Sequence, residues 1–408
     1  MKLYAILAVV LLFNSCNPKE KNTKKLTMVN TLESPVTLPY EMVNGLIVIK
    51  LQINNSKPLN FVLDTGAPIT CILESDRAIG FQDPLSAHDE ISSHTETYME
   101  KPVKFIDGLH LKLNNSIFLK NLSLGLWPPE LFFKHSSYNN VPYDGIIGYD
   151  LLKFLVLEVN QEHKTLTLYN PKKDLPKNDW AYSDLEFINN KPYCNINLRI
   201  KPEDEKIPLK VHFDLGNMNY MWVKTNPSKN IIVPVKRKEQ VIGMGIDGKP
   251  MTGTSWPIHS LEIAGLTNWA VPTRFSSTGH SRDKNREGHI GLKELERFNL
   301  LIDYNNKRLG LRPIEETFVI NDASLKLCEG TYASPSLPYA MILEGKRNVL
   351  YFKAEGKNPL PLVPINNGKF SFKPMNISII FPRDKDGKID YTKFTLKENK
   401  KELIWTRL

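Results

Sequence analysis

Asp64 and Asp214 are the residues of this 408-residue chain best placed by type and context to do chemistry. Each ends an apolar run, Phe61-Val62-Leu63 or Val211-His212-Phe213, and each is followed two residues later by a glycine, Gly66 or Gly216. A strand that delivers a carboxylate to such a turn exposes the acid at one defined point, because glycine lets a ligand or a second chain segment approach closely. Two carboxyl groups held a few ångströms apart cannot both ionise, so they share one proton and divide the roles of base and acid. Such a pair can activate a water against a carbonyl and then protonate the leaving group, chemistry that needs no metal and no organic cofactor.

The elements around the two acids repeat. Asp64-Thr65-Gly66-Ala67 is followed much later by Asp144-Gly145-Ile146-Ile147-Gly148 and an apolar stretch from Leu151 to Val159. Asp214-Leu215-Gly216-Asn217 is followed at nearly the same interval by Glu287-Gly288-His289-Ile290-Gly291 and an apolar stretch from Leu295 to Asp303. Both copies close on a short strand, a turn near Asn160 or Asn305-Asn306, and a second strand. The repeat places a first lobe at 36–172, a linker at 173–179 and a second lobe at 180–315. Short alternating strands and Asp386-Gly387-type turns then give 320–408 the pattern of a small antiparallel sheet or barrel. Amphipathic helices are few, so the chain reads as mostly β.

Hydrophobic-hydrophobic-Asp-Thr-Gly-Ala with a downstream Asp-Gly-Ile-Ile-Gly resembles the retropepsin-like aspartic peptidases, and the second copy makes the resemblance bilobal over most of 36–315. That resemblance implies two β-barrel lobes, a Gly-Ile-Ile-Gly strand threaded beside each Asp turn, and a dyad of Asp64 and Asp214 that hydrolyses peptide bonds. Thr65, Gly66 and Gly216 then support the catalytic loops. The second copy departs from the family at Leu215, where the hydroxyl that braces the lobes is expected. Losing one hydrogen bond there costs about 0.5–1.5 kcal/mol. Asn217 offers a compensating bond to the Asp214 carboxylate. His212 shares a strand face with Asp214, and a packed histidine without a role is the favoured reading.

Gly243, Gly245 and Gly248 fit the pattern GxGxxG, but no strand-to-helix unit surrounds them; Val241-Ile242 precedes them and Lys249 to Gly253 follows the Asp247-Gly248 turn. A hairpin is the better reading, either a flap that closes over bound peptide, as the resemblance implies, or a plain surface hairpin. The first-lobe counterpart, Ser92 to Lys101, lacks glycines. No serine-hydrolase, zinc-peptidase or phosphate-loop motif is present, and the histidines have no metal-ligand spacing. Three functions stay open: an aspartic endopeptidase, a degenerate peptide-binding pair of lobes, or glycan or small-ligand binding by the C-terminal region. The C-terminal region resembles lipocalin-like domains of bacterial envelope hydrolases through Glu329-Gly330-Thr331-Tyr332 and Phe381 to Gly387.

A formal charge of +9 is spread over scattered lysines with no basic stripe interleaved with aromatics, so nucleic acid is not expected as a partner. Lys2, the apolar run Leu3 to Phe13 and Asn14-Ser15-Cys16 resemble a bacterial lipoprotein signal over 1–16, with a polar tether over 17–35. That resemblance implies lipid attachment at Cys16 and a membrane-anchored place in the cell envelope, periplasmic or surface-exposed. A plain signal peptide, or an N-terminal helix with an incidental cysteine, is the alternative. Cys71, Cys194 and Cys328 are too far apart for a disulfide framework and read as buried thiols. The expected working unit is a monomer acting on polypeptide.

Overall fold

The computed structural model describes residues 27–28, 34–54, 56–73, 92–98, 101–114, 117–127, 143–173, 175, 179–244, 250–276, 286–315 and 318–408. Cys16, Gly245 and Gly248 lie outside the described residues.

Alternating apolar and polar residues make strands, and Asn-rich two-residue turns join them. Asn44-Gly45 and Asn189-Asn190 all take positive φ, between Glu41–Val43 and Leu46–Ile53 and between Ala181–Ile188 and Lys191–Arg199. Turns of that hand suit the right-handed twist of a hairpin, and Asn and Gly tolerate them at least cost. In the first lobe the strand Leu59–Leu63 carries the chain to Asp64, and Gly145–Ile147 lies parallel to it, Ile147 opposite Leu63. In the second, Ile207–Asp214 carries the chain to Asp214, and Gly288–Gly291 lies parallel, Gly291 opposite Asp214. Each of these inserted strands also pairs antiparallel on its other side, with Cys71–Leu73 or Met221–Lys224.

The two copies are not beads joined by a linker. Val36–Pro39, Thr165–Tyr169 and Val156–Asn160 from the first copy continue, strand by strand, into Phe298–Asp303, Arg308–Pro313 and Ala181–Ile188 from the second. Where the copies meet, Glu158 lies opposite Leu301, its own counterpart in the repeat, with Leu157 opposite Ile302 and Val159 opposite Leu300. An antiparallel pair formed by the same segment of two copies is self-complementary, so this shared sheet generates an approximate two-fold axis relating the Asp turns. One apolar cluster runs through both lobes, from Ile47 and Phe61 to Phe213, Leu215 and Ile302.

Eight strands from Gly330–Ala333 to Lys401–Arg407 close an antiparallel barrel in which each strand pairs with its chain neighbour and the last with the first. Phe370, Phe394 and Trp405 fill it and are fully buried. The chain is therefore mostly β, with two repeated lobes and a small closed barrel. Cys71, Cys194 and Cys328 are buried free thiols, held protonated by burial.

Candidate active site

Each Asp turn is shaped by its own backbone. Asp64 Oδ1 accepts hydrogen bonds from Gly66 N at 2.7 Å and Ala67 N at 3.1 Å, and Asp214 Oδ1 accepts from Gly216 N at 3.1 Å. The Gly-Ile-Ile-Gly segment pins the turn from below. Asp64 N donates to Ile147 O at 3.1 Å and Tyr149 N to Ala67 O at 2.9 Å. In the second copy Leu292 N donates to Asn217 O at 2.7 Å and Gly291 N to Tyr220 O at 2.9 Å.

The copies meet at the two carboxyls. A Cβ placed on Gly66 would lie 2.5 Å from Asp214 Oδ1, and one placed on Gly216 would overlap the Asp64 carboxyl group. Glycine is needed at both places because each turn packs directly against the other copy's acid. That packing sets the two carboxyl groups beside each other, so charge on one opposes charge on the other. Burial, and then the neighbouring Asp214 charge, push Asp64 up to about 8. Burial also raises Asp214, but the Arg286 and Lys191 charges oppose the shift. Both carboxyls are thus pushed above the ordinary carboxylate range, so the pair retains a proton, and Asp214 still keeps 14% of its side-chain surface exposed.

The brace between lobes is one-sided. Thr65 is fully buried. Its Oγ1 donates to Phe213 O at 3.0 Å and accepts from Leu215 N at 3.0 Å. Leu215, also fully buried, has no hydroxyl with which to return these bonds and packs into the common apolar cluster instead. Asn217 does not compensate: its Oδ1 accepts from Asn219 N at 2.9 Å and Asn219 Nδ2 at 2.8 Å, closing a turn within its own loop. That corrects the expectation of a bond to Asp214, since the short side chain is taken up by the local turn it is built to form.

His212 faces Asp214 as its place in the strand requires, but Nδ1 stands 3.7 Å from Oδ2, beyond hydrogen-bond range. Burial, then the charges of Arg286, Lys191 and His289, hold its pKa well below the usual histidine range, so it is a neutral ring packed at a tilt against Tyr193. Gly243 lies on the strand Gln240–Met244, which pairs with Pro250–Ile263 as a hairpin, and Ser92–Tyr98 pairs with Lys101–Lys112 as another. Both copies thus carry a hairpin at the same place in the repeat, despite the missing glycines of the first.

Several supporting residues escaped the sequence reading. Asp144 Oδ2 accepts from Asn60 N at 2.8 Å and Glu287 Oε2 accepts from Lys210 N at 3.1 Å, each acid clamping the strand that leads to its Asp turn. The signal was present: an acid precedes the first glycine of the inserted strand in both copies. Thr70 donates its hydroxyl to Asp150 Oδ1 at 2.6 Å and accepts from Gly148 N at 3.0 Å, tying the first turn to its inserted strand. Nothing in the sequence marks that pair, because the second copy has no equivalent of it.

No family model matches this sequence, and no curated protein matches it. Among solved structures, an aspartic proteinase from Irpex lacteus is similar with a TM-score of 0.44 and 13% sequence identity, over 69% of this chain and 97% of that one.

Proposed function

We propose that this chain is an aspartic-type endopeptidase acting on extended polypeptide. The observation that carries the reading is the close approach of two buried carboxyls, Asp64 and Asp214, each packed against the glycine turn of the other copy of one repeat. A water held between them gives a proton to Asp214 as its oxygen adds to the peptide carbonyl, while Asp64 polarises the carbonyl oxygen by donating its own proton. Asp214 then passes its proton to the leaving amine, and Asp64 recovers its proton as the carbonyl re-forms. No metal or organic cofactor enters. Attachment of an acyl group at Cys16 would hold the enzyme at a membrane of the cell envelope as a monomer, facing the polypeptides outside it.

A second reading, a peptide-binding protein that keeps the cleft without the turnover, is favoured by Leu215. The test is cleavage of a mixed peptide library by the wild type, by Asp64→Asn and by Asp214→Asn, with and without a statine-type inhibitor. Cleavage that the inhibitor blocks and either substitution abolishes is expected. Absent wild-type cleavage, with peptide binding that survives both substitutions, would select the binding protein. Full activity in Asp214→Asn would rule out an intramolecular pair.

A further inference from the structure

The barrel docks against the second lobe. His259 Nδ1 and the Tyr351 hydroxyl are 2.8 Å apart, and Ala270 of the lobe is buried in the barrel's apolar cluster. Between the two bodies lies a cavity of about 600 Å³, within the range that encloses a small organic ligand. The segment from Met218 to Met221, which continues the Asp214 turn, forms one wall, and barrel residues from Phe352 to Ile377 form the opposite one. Neither Asp64 nor Asp214 lines it.

Two properties of the lining define its chemistry. Trp256 from the lobe and Phe352, Leu360 and Phe372 from the barrel provide an apolar body. Met218 and Met375 lie on this face with 42% and 51% of their surface still exposed, and exposed apolar area gathered around a concavity is a mark of ligand sites. The charged lining is all of one sign. Arg237, Arg274, Lys293 and Lys357 contribute to it, and no described carboxylate does. Lys293 is 3.7 Å from Glu296, and Arg237 lies over the Trp256 ring at 4.5 Å. Arg274 is half-buried, and among the described residues no acid pairs with it. A guanidinium withdrawn from water without a counter-charge is unfavourable until an anion supplies one.

We propose that this cavity binds an amphipathic anion, a carboxylate carried on an apolar body. Arg274 and Lys357, one from each side, meet the carboxylate, and Trp256, Phe352 and Phe372 cover the rest. A fatty acid and the free C-terminus of an apolar peptide share that chemistry. Binding there is independent of the carboxyl pair, so its test does not depend on peptide cleavage.

Calorimetric titration of the full chain with decanoate, decanol and acetate separates charge from apolar body. A short apolar peptide acid and its C-terminal amide separate the two sources. Saturable 1:1 binding of decanoate or of the peptide acid is expected, at least about tenfold tighter than decanol or the amide, the loss of roughly one charge-assisted contact. Arg274→Gln should weaken the acid about tenfold. Lys357→Gln, at an exposed barrel position where folding is not at risk, should weaken it about threefold. Neither change should alter decanol binding. Equal affinity for acid and alcohol, no saturable binding of either acid, or unchanged affinity in both variants would overturn the proposal.

Discussion

Thr65→Val should reveal how much the interlobe brace contributes. Valine is nearly isosteric with threonine, so the change removes the hydroxyl and little else from a site with no exposed surface. Two bonds go with it, the 3.0 Å donation to Phe213 O and the 3.0 Å acceptance from Leu215 N. Leaving the Leu215 amide buried without an acceptor costs about 1–3 kcal/mol, and losing the donation adds about 1 kcal/mol. A destabilisation of about 2–4 kcal/mol is therefore expected by urea unfolding, followed by both circular dichroism and tryptophan fluorescence to check that one transition is being measured. Thr65→Ser is the control: it keeps the hydroxyl, drops one methyl, and should cost no more than about 1 kcal/mol. Both bonds join turns from different copies, so peptide cleavage by Thr65→Val should fall at least about tenfold as the carboxyls lose their fixed separation. A loss below about 0.5 kcal/mol, or Thr65→Ser as damaging as Thr65→Val, would refute the reasoning by showing that packing and not the hydroxyl joins the turns.

Leu215→Thr should supply the missing half of the brace and hold or raise the cleavage rate, while costing about 1–2 kcal/mol of stability because a fully buried leucine leaves the common core; a rate that falls while the fold is kept would contradict this. Asp64 stays protonated in the fold to about 8 against 3.8 as its ordinary value, so between those pH values the unfolded chain has released a proton that the folded chain retains. Stability carried by that group is complete below about pH 4 and is lost as pH rises towards 8. Urea midpoints measured across this window should fall with pH in the wild type and much less in Asp64→Asn, and the cleavage rate should decline on the alkaline side near pH 8. Cys16→Ser should move the protein from the detergent phase to the aqueous phase in a phase-partition experiment, since stable anchoring needs acyl chains that only the cysteine would carry; unchanged partition would discount an anchor at that residue.

The local features of this chain are legible residue by residue. Strand after strand is announced by alternation and by Asn and Gly turns, and the acid before the first glycine of each inserted strand recurs because both copies solve the same backbone problem. The pairing of an Asp turn closed by glycine two residues on with a later Gly-Ile-Ile-Gly or Gly-His-Ile-Gly segment pointed to both acids, and the apolar repeats of the last ninety or so residues to a sheet or barrel. What the sequence could not determine depends on partners more than a hundred residues away. Leu215 reads as a lost hydrogen bond in one dimension, whereas in three it exchanges that bond for a place in a core that spans both lobes. Only tertiary structure sets Glu158 against its own counterpart Leu301, and so brings the two acids onto one axis. The cavity between barrel and lobe has no sequence signature at all. A pattern of residues specifies which face of a strand is buried, but which surfaces meet, and what space they leave, follows from register and close packing between distant segments.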